Sequence, residues 1–337
     1  MLKIDIHTHI IPKIIPQWME QFGYGGFIQL DHHKNCCARM ILDDGTFFRE
    51  IEHNCWDPEQ RIKECNESEV GVQVLSTVPV MFNYWARAEH THDTSRFLND
   101  HIASVVAQYP KRFVGLGTLP MQKTRLAIDE LERCVHDLHL SGVQIGSHIN
   151  NINLSDPTLF PIFEKAQEIG ACVFVHPWDM MGEKSLDKYW LSWLVGMPAE
   201  SARAICSMIF GGVLERLPHL KIAFAHGGGS FPATLGRIEH GFHVRPDLCA
   251  VDNNCNPRKY VKQIYVDSLV HDPYALEFLI DTFGVDRIAL GSDYPFPLGE
   301  HRPGELIQSI QLTKTDRAQL LHGTALDWLG KKIEDFI

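Results

Sequence analysis

The stretch KIDIHTH at residues 3–9 decides how the rest of the chain is read. Apolar and polar residues alternate, so a strand here would turn Ile4, Ile6 and Thr8 one way and Asp5, His7 and His9 the other. Two imidazoles side by side at a strand end are either hydrogen-bonded structural histidines or a pair of metal ligands. Seven further apolar runs of similar length follow: GVQVLSTVP (71–79), FVGLGTLP (113–120), GVQIGS (142–147), CVFVHP (172–177), KIAFAHGG (221–228), QIYVDSLV (263–270) and RIALGSDYP (287–295). Helix signals lie between them. Asp57-Pro58, Asp156-Pro157 and Asp272-Pro273 each read as an N-cap with proline in the first turn.

Eight strands alternating with helices predict an α/β protein, and eight is the number that closes a (β/α)8 TIM barrel. One such barrel would span residues 1–337. An open doubly wound sheet is the alternative, but no strand leads into G-x-G-x-x-G. Residues 10–56 are too long for a βα loop and predict an insertion after the first strand, lying over the barrel rim. Residues 178–198, rich in Trp and Met, read as a second lid-like segment.

The 337 residues carry a formal net charge of −11 with no basic block, which argues against a nucleic-acid partner. An anionic substrate would need local arginines to overcome that background. No apolar run reaches the roughly 18 residues of a membrane span, and the N-terminus does not read as a signal peptide. Nine scattered cysteines without a C-x-x-C pair predict reduced thiols and a cytoplasmic protein. The cluster His32-His33 and Cys36-Cys37 matches no zinc spacing and reads as a solvated loop.

Barrel chemistry sits at the C-terminal ends of the strands. His7 and His9 end the first run, His176 the fifth, His226 the sixth and Asp293 the eighth. Each alone would be an ordinary structural residue. Five at equivalent positions point to a metal site. Imidazole and carboxylate suit Zn2+, with Fe2+ or Mn2+ as alternatives. Such a metal lowers the pKa of a coordinated water to about 7. We read His7, His9, His176 and Asp293 as the ligands and His226 as a general acid/base beside them.

This pattern resembles the amidohydrolase superfamily. Two-metal members add a lysine on the fourth strand, where this chain has Gln144, so the resemblance implies one metal per chain. Long stretches such as FGYGGFIQLDHH, FVHPWDM, YWLSWLVGMPAE, FAHGGGSFP and GSDYPFPLGE resemble, within it, the non-oxidative decarboxylases of the kynurenine route of tryptophan catabolism. The resemblance implies a small dicarboxylate substrate, and decarboxylation that diverts flux from quinolinate and NAD synthesis. It matches Arg49 to a substrate-binding arginine, and Arg237 and Arg245 to arginines that enter a neighbouring subunit's pocket, which implies a homodimer. Phe48, Trp178, Met180 and Trp193 would wall the pocket. Sequence leaves open a metal-dependent hydrolase or an aromatic-acid decarboxylase of the same superfamily.

Overall fold

The computed structural model describes residues 1–182 and 185–336. Thirteen strands form among the described residues. They are β1 (Ile4–His9), β2 (Ile28–Lys34), β3 (Cys37–Leu42), β4 (Phe47–Glu52), β5 (Val72–Ser76), β6 (Phe113–Gly117), β7 (Gly142–Gly146), β8 (His148–Ile149), β9 (Ile152–Asn153), β10 (Cys172–His176), β11 (Lys221–Phe224), β12 (Tyr265–Asp267) and β13 (Ile288–Ala289). The eight predicted runs all contain a strand, and these make one sheet in the order β1-β5-β6-β7-β10-β11-β12-β13. Every pairing within it is parallel. Backbone bonds from Ile6 N–H to Leu290 O and from Asp293 N–H to His7 O, both 2.8 Å, join the last strand to the first. The sheet is therefore closed into a barrel.

The barrel interior is filled from both ends of the size scale. Ile4, Ile6, Val72, Val74, Leu116 and Phe174 interlock with the small Ala223, Ala225 and Ala289. Small residues on one side leave room for large ones on the other, which keeps the interior dense. Trp328, fully buried in the helix Thr324–Leu329, joins the same cluster. Its indole N–H donates to Lys221 O, and its carbonyl accepts from Cys172 Sγ. Both partners start their strands, so Trp328 plugs the end opposite the predicted site.

The expected alternation in KIDIHTH fails at one point. The pairing of β1 with β5 shifts register between Asp5 and Thr8. Ile6 and His7 consequently share a side, and the His7 ring packs on Phe174 at 5.0 Å. Asp5 instead accepts bonds from the Ser292 N–H and hydroxyl. Burial pushes its carboxyl up to about 7.

Two of the three Asp-Pro signals open helices. Asp57 caps the helix Pro58–Glu67, and Asp272 caps Pro273–Phe283. Asp156 instead bonds the Thr158 N–H and closes a turn, and the helix begins only at Phe160. Within residues 10–56, β2, β3 and β4 form an antiparallel sheet beside the short helix Trp18–Phe22. Gly45, at φ 85°, makes the tight turn between β3 and β4. The buried face of this sheet, with Ile28, Met40 and Ile51, shares a cluster with Val78, Met81 and Leu98. His32 and His33 lie on β2, not in a loop, and Cys36 is exposed at the hairpin turn. The second lid-like segment, 178–198, includes Glu183 and Lys184, which lie outside the described residues. Among the described residues no helix is long and apolar enough to cross a membrane.

If Trp328 plugs the barrel, Trp328→Ala should cost about 3–5 kcal/mol through lost burial and the cavity left behind. Urea denaturation should show a markedly lower midpoint. An unchanged midpoint would place Trp328 outside the structural core.

Candidate metal centre and active site

Four side chains from three distant strand ends meet at one point. One ligand atom from each of His7, His9, His176 and Asp293 lies within 4.8 Å of all the others, and all four residues are buried. A second acceptor stands behind each imidazole. His7 Nδ1 donates to Asp267 Oδ2 at 2.7 Å, His9 Nδ1 to Thr77 O at 3.0 Å and His176 Nδ1 to Pro177 O at 2.7 Å. A carbonyl or carboxylate oxygen only accepts, so each bond places the proton on Nδ1 and turns Nε2 inward.

All three Nε2 atoms are buried without a hydrogen-bond partner. Burial pushes the His9 imidazole down and the His176 imidazole well down from the ordinary histidine value. Their Nε2 atoms therefore carry lone pairs. Asp293 Oδ1 lies 3.0 Å from His9 Nε2 and 3.4 Å from His7 Nε2, without hydrogen-bond alignment. Burial alone would raise the Asp293 carboxyl, but its histidine neighbours, His226 foremost, hold it well below the ordinary range. Buried acceptors facing acceptors fit a cation between them, and the N3O donor set fits a divalent transition metal.

His226 stands beside this group. Its ring centroid is 5.1 Å from that of His7 and 5.2 Å from that of His176. Its Nε2 is 3.9 Å from Asp293 Oδ2, and its Nδ1 has no partner. Burial lowers its pKa, but the neighbouring Asp293 and Asp267 carboxylates outweigh burial and leave it raised. His226 and Asp293 both adopt left-handed backbone, at φ 57° and 58°. Such strain in non-glycine residues persists only where the surroundings enforce it.

A cavity of about 500 Å3 opens above, with His9, His176 and Asp293 in its wall. Phe48, Arg49, Trp178, Met180, Trp193 and Phe296 line it as well. Arg49 projects from β4, its guanidinium 4.4 Å from the Phe296 ring centre and 5.8 Å from that of Trp193. Among the described residues it makes no hydrogen bond or ion pair. Gly146 lets Trp178 close in, since a Cβ there would sit 2.5 Å from the indole. A larger cavity of about 900 Å3, lined by Glu64, Glu300 and Arg302 among others, contains none of the four donors, so volume alone misplaces the chemistry.

Some predicted residues are not gathered here. Arg237 and Arg245 are exposed and do not line this cavity. Arg245 pairs with Asp247 at 2.6 Å. Among the described residues, His32, His33, Cys36 and Cys37 form no group able to hold a metal. At the fourth barrel strand, Gln144 is buried, donating to Thr77 O and accepting from Ser76 Oγ. One residue that the sequence reading missed is Asp267, which binds His7 and the backbone of His226. Its signal was present only in part, since it ends β12 as His176 ends β10, but within the seventh run the apolar Leu269 and Val270 follow it.

Known proteins resemble the chain along nearly its whole length. Residues 4–331 match the amidohydrolase family. The chain belongs to that family. It is 60% identical over 98% of its length to 2-amino-3-carboxymuconate-6-semialdehyde decarboxylase of Dictyostelium discoideum, covering 92% of that protein. It is 40% identical, over 97% of its length and 94% of the relative, to the enzyme of the same name from Caenorhabditis elegans. A solved dihydroxybenzoic acid decarboxylase from Polaromonas sp., with bound manganese and 2-nitroresorcinol, superposes with a TM-score of 0.78 at 21% identity, covering 99% of this chain and 98% of its own. The amidohydrolase fold thus extends over nearly the whole chain.

Protons compete with a cation for His9 and His176. Because burial lowers both pKa values, acid must go below the free-histidine value of about 6.5 before protons win. Protein reloaded with a divalent ion across a pH series should hold it to below about pH 6.5. Release at or above that value would contradict neutral, buried donors.

Proposed function

We propose that the chain is a metal-dependent decarboxylase that converts 2-amino-3-carboxymuconate 6-semialdehyde to 2-aminomuconate 6-semialdehyde and CO2. The observation that carries this reading is the buried cluster of three Nε2 atoms and one carboxylate beneath an arginine-bearing pocket. The 60% identity to a relative of that name selects the substrate. The reaction belongs to the kynurenine route and diverts material from quinolinate and NAD synthesis. A cytoplasmic setting suits the nine cysteines, all free thiols.

His7, His9, His176 and Asp293 would hold one divalent ion, with Zn2+ our choice over Fe2+ or Mn2+. A bound ion would supply electrophilic stabilisation of developing negative charge and a water of lowered pKa. The protein's own residues do the rest. Arg49 clamps a substrate carboxylate, its guanidinium already oriented by the Phe296, Phe48 and Trp193 rings. Phe48, Met180 and Trp193 exclude bulk water, which strengthens each charge interaction inside. As CO2 leaves, the electron pair of the broken C–C bond stays on the substrate carbon and must be taken up by a proton. His226 holds and moves that proton from its place beside Asp293. Residues 10–56, which carry Arg49 on β4, act as a rim insertion of the barrel domain.

A dicarboxylate needs more cations than Arg49. Arg237 lies exposed on the helix Phe231–Val244, and Arg245 directly follows it. Val244, Leu248 and Val251, at least 55% exposed, lie beside Arg245 in the chain. Such apolar surface suits burial against a second copy. We place Arg237 and Arg245 in the partner's pocket of a homodimer.

Freshly generated aminocarboxymuconate semialdehyde should disappear with stoichiometric CO2 release. Substrate loss by ring or ester opening, without CO2, would make the chain a hydrolase instead. His226→Ala should keep one divalent ion per chain and lose about 10²–10⁴-fold in turnover. Loss of the ion in step with activity would make His226 a ligand.

The shared site has its own test. Arg237→Ala and His226→Ala proteins, each inactive, should regain activity when mixed under conditions of subunit exchange. One pocket of the mixed dimer then has both residues intact and the other neither. Demonstrated exchange without recovery would end the shared-site model.

A further inference from the structure

Asp267 ends β12 and is fully buried. Four donors converge on its two oxygens. Oδ2 accepts from His7 Nδ1 at 2.7 Å and from the His226 N–H at 2.9 Å. Oδ1 accepts from the Gly227 N–H at 2.8 Å and the Leu269 N–H at 3.1 Å. The first of these bonds sets the tautomer of one metal-facing imidazole. The second and third hold the backbone of His226 and Gly227, both left-handed, at φ 57° and 62°. One carboxylate therefore touches both the metal cluster and the turn that carries the acid/base.

We infer that Asp267 is a positioning residue that fixes the His7 tautomer and the placement of His226 together, so that ion binding and proton transfer share one support. The inference rests on the metal site proposed above. Its chemical basis is that four donors fill the lone pairs of an acceptor-only group. An amide of the same shape cannot replace it. With its NH2 at the Oδ2 position, Asn would face the His226 N–H donor to donor, and His7 Nδ1 would have to become the acceptor. The proton would then move to Nε2, where the ion binds. With its NH2 at the Oδ1 position, Asn would oppose two backbone N–H groups instead. Either way one function of the carboxylate is lost, and the cost is that of unpaired buried donors.

The test uses the full-length protein. Asp267→Asn should weaken Zn2+ binding about 10–100-fold, as loss of a partner behind a ligand does, measured by chelator competition. Glu130→Gln supplies the control for loss of a buried carboxylate elsewhere. Glu130 lies buried on the helix Thr124–Glu132, beside Asn99 and Arg133, and its substitution should lower stability and leave Zn2+ affinity unchanged. In metal-free wild-type protein, the 15N resonances of His7 should show a protonated Nδ1 and a bare Nε2, a result that does not depend on the variant folding. Wild-type Zn2+ affinity in Asp267→Asn, or a protonated Nε2 on His7, would overturn the inference while leaving the proposed reaction standing. Wild-type protein that binds no divalent ion would overturn the metal site itself.

Discussion

The site is organised by a repulsion that the protein does not relieve with its own hydrogen bonds. His7, His9 and His176 turn Nε2 toward Asp293 and toward one another in a buried space. Each Nδ1 is already committed to an oxygen behind it. The rings cannot flip to donate inward without abandoning those bonds and leaving buried acceptors unpaired. Burying unpaired polar groups costs roughly 1–3 kcal/mol each. An arrangement this costly is expected where a cation recovers the cost. The strained backbone at His226 and Asp293 belongs to the same arrangement.

Barrel closure makes that convergence possible. The donors are separated by most of the sequence, and they become neighbours only because β13 returns to β1. The Asp293 N–H bonds His7 O directly across that seam. A change that loosened the seam would therefore alter the site without touching any donor. Trp328 at the far end ties the starts of β10 and β11 to the helix Thr324–Leu329 and packs with Ile4, Ile6 and Ala289 of the two seam strands.

The eight strands were legible because a barrel strand is buried on both faces and reads as a continuous apolar run. His176, His226 and Asp293 were legible because each ends such a run. The bulge in β1 was not, since alternation assumes regular pleating and a one-residue slip reverses which side a residue faces. Asp156-Pro157 misled for a related reason. An Asx turn and a helix cap use the same side-chain bond to backbone N–H. Asp267 was not legible because it stands behind a metal-facing histidine, and nothing in the sequence marks which strand-end carboxylate backs which ring. The hairpin carrying His32 and Cys36 was obscured by its polar composition, yet its other strands bury Met40 and Ile51.

Charge is the physical argument for the proposed sharing of the pocket between two subunits. Among the described lining residues, Arg49 is the sole lysine or arginine, and Asp179 and Asp293 add negative charge. The whole chain is at −11. A dicarboxylate entering such a cavity meets one guanidinium against two carboxylates before any ion is counted. A divalent ion held by Asp293 and the imidazoles would reverse that balance locally, but its positive field would be spent first on those donors. The second substrate carboxylate still lacks a partner able to bind it bidentately. Supply from outside the pocket is then the economical solution, because a cation brought in only on assembly need not be buried and unpaired in the isolated chain. The exposed position of Arg237 suits that constraint, whereas a second arginine buried at the rim would not.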